Sequence, residues 1–180
     1  MTGKVIAVAK DEGHNFSKRI VPEINIVAGL GVDGDTHQGV KVKHRSRVKA
    51  DPTQPNLRQV HLIHSELFDE VAKQGFHVTP ADLGENITTK GIDLLALPRG
   101  SHLKIGDDVV LEVTGLRNPC AQIDDFQRGL LSAVLDRRAN GELIRKSGIM
   151  TVVLKSGWVR PGDRINVQLP DPPFLPLERV

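Results

Sequence analysis

The 180-residue chain holds a single cysteine, Cys120, and no tyrosine, and aromatic residues make up only 3% of it. One cysteine excludes an internal disulfide, a zinc ribbon and a cysteine-only iron–sulfur cluster. Any chemistry of Cys120 therefore runs with that thiol alone, with a partner molecule or with a cofactor. A formal net charge of +2, from 24 basic and 22 acidic residues, together with so few rings, argues against a nucleic-acid binder. Long apolar runs are missing too. Those at Val109–Leu111 and Ile149–Leu154 are short, against the roughly 20 residues of a membrane helix, so no membrane partner is expected. The opening Val5–Ala9 run meets Lys10-Asp11-Glu12 too soon for a secretory signal, and the expectation is a mature cytoplasmic chain.

What is present suits a globular chain with a core: 39% hydrophobic and 26% charged residues. The length suggests one domain over 1–180, with a core at about 3–169 and a proline-rich surface arm at 170–180. Strand signals dominate. Lys4–Ala9, Ile20–Val27, Gln59–Ile63 and the pair Leu103–Ile105 and Val109–Val113 around Gly106-Asp107 read as strands and a hairpin. Pro161-Gly162 marks a turn before a strand with Ile165, Val167 and Leu169 on one face. Helices are fewer. Ser65–Lys73 has a cap candidate at Ser65 and a stop at Gly75; Thr79-Pro80-Ala81-Asp82 reads as one capped turn. Gly129–Arg138 has helical spacing and a stop at Asn140-Gly141. Lys41–Asn56 reads as a long loop with six basic residues. The fold class expected is mainly β with a few helices, as a compact barrel or sandwich.

Four segments carry candidate chemistry. Thr114-Gly115-Leu116-Arg117-Asn118-Pro119-Cys120 places the cysteine after a turn, three residues from a permanent cation. A thiolate is the nucleophile and the metal ligand, so an adjacent cation points to function, although a lone cysteine is by default a small buried hydrophobe. Gly34-Asp35-Thr36-His37-Gln38-Gly39, followed by the basic loop, suits an anion but lacks the Gly-Lys-[Ser/Thr] of a P-loop. Taken alone it is a solvated turn. In Leu57-Arg58-Gln59-Val60-His61-Leu62-Ile63-His64 a strand would put Arg58 opposite His61 and separate His61 from His64, which disfavours a zinc pair. Leu83-Gly84-Glu85-Asn86 reads as a tight turn with two hydrogen-bonding groups at its tip.

The order of these segments is more specific than any one of them. Gly-Asp-x-His-x-Gly, Arg-Gln-Val-x-Leu, Leu-Gly-Glu-Asn-Ile-Thr-Thr-x-Gly-Ile and Thr-Gly-x-Arg-x-Pro-Cys follow one another from Gly34 to Cys120. The succession resembles the MOSC domain, found at the C-terminus of molybdenum-cofactor sulfurases and as small stand-alone bacterial proteins, over about Gly3 to Leu169. The resemblance implies a distorted closed β-barrel of the pyruvate-kinase-like type. It implies a molybdenum-pterin cofactor, with Cys120 as the metal ligand beside the two dithiolene sulfurs. Arg117 and Asn118 would line the site, and His37, Arg58 and Asn86 would hold the pterin and its phosphate. Three activities stay open. One is an oxidoreductase reducing N-hydroxylated compounds; with no flavin, haem, zinc or iron–sulfur motif, its electrons would come from a separate reductase. Another is a sulfur carrier taking a persulfide on Cys120 from a separate cysteine desulfurase, since the pyridoxal-phosphate domain of full sulfurases is not in this sequence. The third is a cofactor-binding module without turnover. The N-terminal barrel of amidoxime-reducing relatives is likewise not in this sequence, and the Lys41–Asn56 stretch is longer than expected for small reductases.

Overall fold

The computed structural model describes residues 1–41, 48, 49, 51 and 53–180. Among the described residues, short β-branched runs separated by glycine turns build thirteen strands, most of them in one barrel sheet. The strands are β1 (Thr2–Lys10), β2 (Arg19–Val21), β3 (Ile24–Val27), β4 (Gly31–Val32), β5 (Val60–His64), β6 (Ile87–Lys90), β7 (His102–Ile105), β8 (Val109–Leu116), β9 (Leu135–Arg137), β10 (Leu143–Arg145), β11 (Ile149–Lys155), β12 (Gly157–Val159) and β13 (Arg164–Gln168). Seven of them close on themselves in the order β13-β7-β8-β11-β5-β6-β1, because β1 returns to β13. β1 does this by splitting one edge: Thr2–Lys4 pair with β13, while Val8–Lys10 pair with β2. Closure leaves no free edge along the barrel wall. All its pairings are antiparallel except β5 with β6.

Alternation along the strands divides the interior. Val60 and Leu62 of β5 point into the barrel with Val8, Ile87, Leu103, Leu111, Ile149 and Ile165. Ile63, on the other face of β5, packs outside the barrel with Leu67, Phe68 and Val71 of α1 (Glu66–Ala72). Ile123 of α2 (Gln122–Phe126) and Leu130 and Ala133 of α3 (Leu130–Ala133) complete that second cluster. His61 shares the outer face with Ile63, so β5 is where barrel and helical layer meet.

Several local expectations change. β3 is separate from β2, with Pro22 and Glu23 between them. Ser65 precedes α1 without a side-chain cap. The helix expected over Gly129–Arg138 stops after Ala133, because Leu135–Arg137 pair with Leu143–Arg145 and Asn140-Gly141 lies in the turn of that hairpin. Thr79–Asp82 is the expected turn, both Thr79 N–H and Oγ1 donating to Asp82 Oδ2 (2.7 and 2.9 Å). Much of the expected 41–56 loop, including Lys43, His44, Arg45 and Arg47, lies outside the described residues. Its base is closed by a Lys41–Pro55 bridge and by Asn56 Nδ2, which donates to the carbonyls of His37 and Gly39 (2.9 and 2.8 Å).

The arm at 170–180 is tied back rather than loose. Arg99 N–H donates to Leu175 O (2.9 Å), and Leu116 N–H donates to Glu178 O (2.7 Å), so the arm runs beside the end of β8. Gly115 makes room for it: a Cβ there would stand 2.4 Å from Glu178 O. No helix among the described residues is long and apolar enough to cross a membrane.

Candidate functional site

The cavity lies where β1 and β8 end and β5 begins. β8 ends at Leu116, and the next residues turn through Asn118 and Pro119 to Cys120 before α2 starts. Arg117 is anchored at the head of this turn by its N–H, which donates to Gly148 O (3.0 Å). β5 begins only at Val60, so Arg58 lies in the approach to the strand and is freed from its alternation. That is why Arg58 and His61, expected on opposite faces, share one wall. The remaining walls come from the loop after β1, the Gly34–Gly39 turn and the Leu83–Asn86 turn.

His37, Arg58, Asn86, Arg117, Asn118 and Cys120, drawn from four separate sequence segments, all line this one cavity. His14, Asn15, Phe16 and Lys18 line it as well, with Asn56, His61, Gln122 and Met150. Among the described residues the wall thus carries the cations Lys18, Arg58 and Arg117 and three histidines, and none is an aspartate or glutamate. The cavity is about 180 Å3, below the roughly 300–1,000 Å3 of a pocket for a drug-sized ligand. It suits a small anion, or one charged end of a larger molecule.

Asp35 organises the wall from behind. Its carboxylate is buried and accepts the Lys18 ammonium on Oδ2, together with Asn86 Nδ2 (3.0 Å) and Asp11 N–H (3.3 Å). Oδ1 accepts the backbone N–H of His37 (3.0 Å) and its ring Nδ1 (3.3 Å). Burial alone would push this carboxyl upward, but the His37 bonds and the charge and bond of Lys18 outweigh it and hold the group well below the usual carboxylate range. Asn86 is committed at both ends: Nδ2 donates also to Ala9 O (3.2 Å), while Oδ1 accepts His61 N–H (3.2 Å).

The Cys120 side is built differently. The Arg117 guanidinium lies over the Phe16 ring, 5.8 Å from its centroid, a cation–π arrangement that costs the cation little of its charge. Phe16 in turn tilts against Phe126, with 6.1 Å between centroids. Arg117 is only 8% exposed, and its Nη1 has no hydrogen-bond partner. Burial lowers its affinity for its proton, and Cys120 and Glu85 act in the opposite sense. Glu85 sits behind the wall, fully buried. Its Oε1 accepts Ala81 N–H (2.8 Å) and Thr88 Oγ1 (2.9 Å), while Oε2 has no partner. Burial pushes its carboxyl up, and those bonds and Arg117 oppose the shift. His61 is held neutral, first by burial and next by the Arg117 charge, while its Nε2 donates to Ser147 O (2.8 Å). Cys120 itself is half-buried, with Sγ donating weakly to Gln122 Oε1 (3.6 Å).

Sequence reading missed Lys18, His14 and Phe16, because Asn15–Lys18 carries neither a turn signature nor strand alternation. The available clue was scarcity: in a chain with five phenylalanines and one tryptophan, each ring is worth placing. Among the described residues no cluster of three histidine, cysteine, aspartate or glutamate side chains is arranged to hold a metal ion.

No curated protein matches the chain. Among solved structures it is similar to the YuaD protein of Bacillus subtilis, at 27% identity and a TM-score of 0.78, over 95% of this chain and 98% of that one. YiiM of Geobacillus stearothermophilus (18% identity, TM-score 0.63) is covered over 75% of its length by 93% of this chain. YiiM of Escherichia coli (18%, 0.64) is covered over 73% by 97% of this chain. At that identity the YiiM likeness speaks for the fold. The family profile described as MOSC domain matches residues 34–166, a span that contains all six expected site residues. The closed mainly β barrel and the match over most of its length together make the chain a member of the MOSC domain family.

Proposed function

We propose that the cavity binds the charged end of a molybdenum-pterin cofactor, with Cys120 Sγ as the protein's ligand to the metal. The observation that carries this reading is the pairing of one half-buried thiol with a wall of cations that contains no carboxylate among the described residues. No three-ligand protein cluster exists among the described residues, so a metal held here would bring most of its own ligands, as a dithiolene cofactor does. A polarisable thiolate suits such a centre. Arg58 and Arg117 would neutralise the cofactor's phosphate, helped by His37, and Asn118 would meet the pterin edge. Asn86, whose amide is already bonded at both ends, would set the shape of the wall rather than donate to the ligand.

The bound cofactor would supply a redox-active metal able to accept oxygen from an N-hydroxylated compound. The chain's part is to bind and orient it, to hold the thiol at the cavity wall, and to keep cations where negative charge gathers. Electrons would come from a separate reductase. The test is metal content in protein purified from cells competent for cofactor synthesis. About one molybdenum per chain, lost in Cys120→Ser, supports the reading; a metal-free wild-type protein overturns it. Turnover with an electron donor would separate an oxidoreductase from a module that only stores the cofactor.

A second reading is favoured by the small cavity and by the weakly bonded thiol. In it Cys120 carries a sulfane sulfur as a persulfide, received from a separate cysteine desulfurase, and Arg117 stabilises the anionic terminal sulfur.

A further inference from the structure

The carrier reading leaves open what a cavity of this charge accepts directly, without a protein donor. Lys18 is already neutralised by Asp35 in a pair from which both side chains exclude solvent. Arg117 is the contrasting cation of the wall. It is buried, it has no carboxylate within ion-pair distance among the described residues, and one guanidinium nitrogen lacks a hydrogen-bond partner. Its electrostatic neighbours are Cys120 and Glu85. Arg117 lines the cavity, and a guanidinium without an ion-pair partner among the described residues favours an oxyanion there. Arg117 lines the same cavity as the only thiol in the chain and feels its charge. A cavity of about 180 Å3 has room for a small anion.

A small oxyanion that also carries transferable sulfur meets all of these conditions, and thiosulfate is the simplest. We propose that the Cys120 cavity is a thiosulfate site, in which Arg117 seats the sulfonate oxygens and Cys120 takes the outer sulfur. This rests on the carrier reading and names its small-molecule donor. The thiol proton leaves to water, and the thiolate attacks the outer, sulfane sulfur of thiosulfate. A bond forms between Cys120 Sγ and that sulfur while the sulfur–sulfur bond of thiosulfate breaks, its electron pair leaving on sulfite. The products are a Cys120 persulfide and sulfite, and no external oxidant or reductant is consumed. Arg117 is placed to hold the sulfonate in the substrate and the sulfite that departs. An acceptor nucleophile such as cyanide then removes the outer sulfur as thiocyanate and restores the thiolate.

The test uses the reduced, desalted chain with millimolar-range thiosulfate, following intact mass, sulfite release and thiocyanate formation with cyanide. The wild-type protein is expected to gain the mass of one sulfur atom, to release one sulfite per chain, and to turn over when cyanide is present. Cys120→Ser should do none of these. Arg117→Gln should slow loading roughly tenfold to hundredfold, the range for a lost charged hydrogen bond, whereas Arg117→Lys, which keeps the charge, should retain most of it. Sulfate should compete with thiosulfate yet leave alkylation of Cys120 by uncharged iodoacetamide unaffected. If thiosulfate adds no sulfur while iodoacetamide reacts and a cysteine desulfurase does load Cys120, the thiosulfate assignment is overturned and the carrier reading stands. If the desulfurase also fails to load an alkylatable Cys120, both fall together. Equal loading of wild type and Arg117→Gln would overturn the role given to the guanidinium.

Discussion

Asn86 Nδ2 donates to Asp35 Oδ2 at 3.0 Å across 51 positions of sequence, and through this bond the two most recognisable turns of the chain become one wall. Asp35 lies outside the cavity lining, yet it fixes three residues that line it: Lys18, His37 and Asn86. A buried carboxylate with this many donors is stable only while every donor is in place, since an unmatched charge in the interior costs several kcal/mol.

Replacement of Asp35 by alanine leaves the buried Lys18 ammonium without its partner and is expected to cost about 3–5 kcal/mol at neutral pH. The folded-state pKa of Asp35 is depressed, so its contribution is fully present above the unfolded value of about 3.9 and is lost as pH falls through the folded one. Urea unfolding of wild type and variant at pH 7 and pH 3 checks this. The gap between them should narrow in acid, and an undiminished gap would mean that the Asp35 charge does not stabilise the fold.

Glu85 is expected to behave with the opposite sign. Burial raises its folded-state pKa, so its contribution is complete below the unfolded value of about 4.3 and is lost as pH rises through the folded value. Glu85→Gln keeps the acceptor for Ala81 N–H and Thr88 Oγ1 without the charge. The variant should therefore show a flatter decline of denaturant midpoint between pH 5 and pH 8 than wild type does. Parallel curves would show that Glu85 does not titrate in that interval.

Gly115→Ala addresses the strap over β8. The added methyl would meet Glu178 O at 2.4 Å and Val180 Cγ1 at 2.6 Å, and one of the two must move. Overpacking of this kind costs about 1–3 kcal/mol. The variant is expected to melt lower and to expose residues 177–180 to carboxypeptidase, and because Leu116 bonds the strap immediately before Arg117, Cys120 alkylation should change with it. A variant with unchanged melting and unchanged proteolysis would show that the strap has no part in holding this end of β8.

The barrel was legible because its signals are local. β1, the β7–β8 hairpin and β13 announce themselves by alternation and by glycine turns. The convergence of His37, Arg58, Asn86, Arg117, Asn118 and Cys120 was legible only through the order of four motifs, since no periodicity joins residues this far apart. The misreadings have a common cause in tertiary pairing. Leu135–Arg137 has helical spacing, but Leu143–Arg145 offers it a partner strand. Arg58 looked like a strand residue, but β5 starts two positions later. Lys18 has no local signature at all, and only the buried Asp35 gives it a place. The proline-rich arm at 170–180 lies at the surface as expected, most of its residues exposed; what the sequence did not show is that Arg99 and Leu116 tie it down.

If Cys120 Sγ binds the metal of a cofactor seated among these cations, as proposed, the sulfur coordination of that metal reports it. X-ray absorption at the molybdenum edge should be recorded on the metal-loaded wild type and on whatever metal Cys120→Ser retains. The expected result is three sulfur neighbours in the wild type, two of them from the dithiolene, and either two or no bound metal in the variant. Identical sulfur shells in both proteins, with equal metal content, would show that Cys120 is not a ligand to the metal.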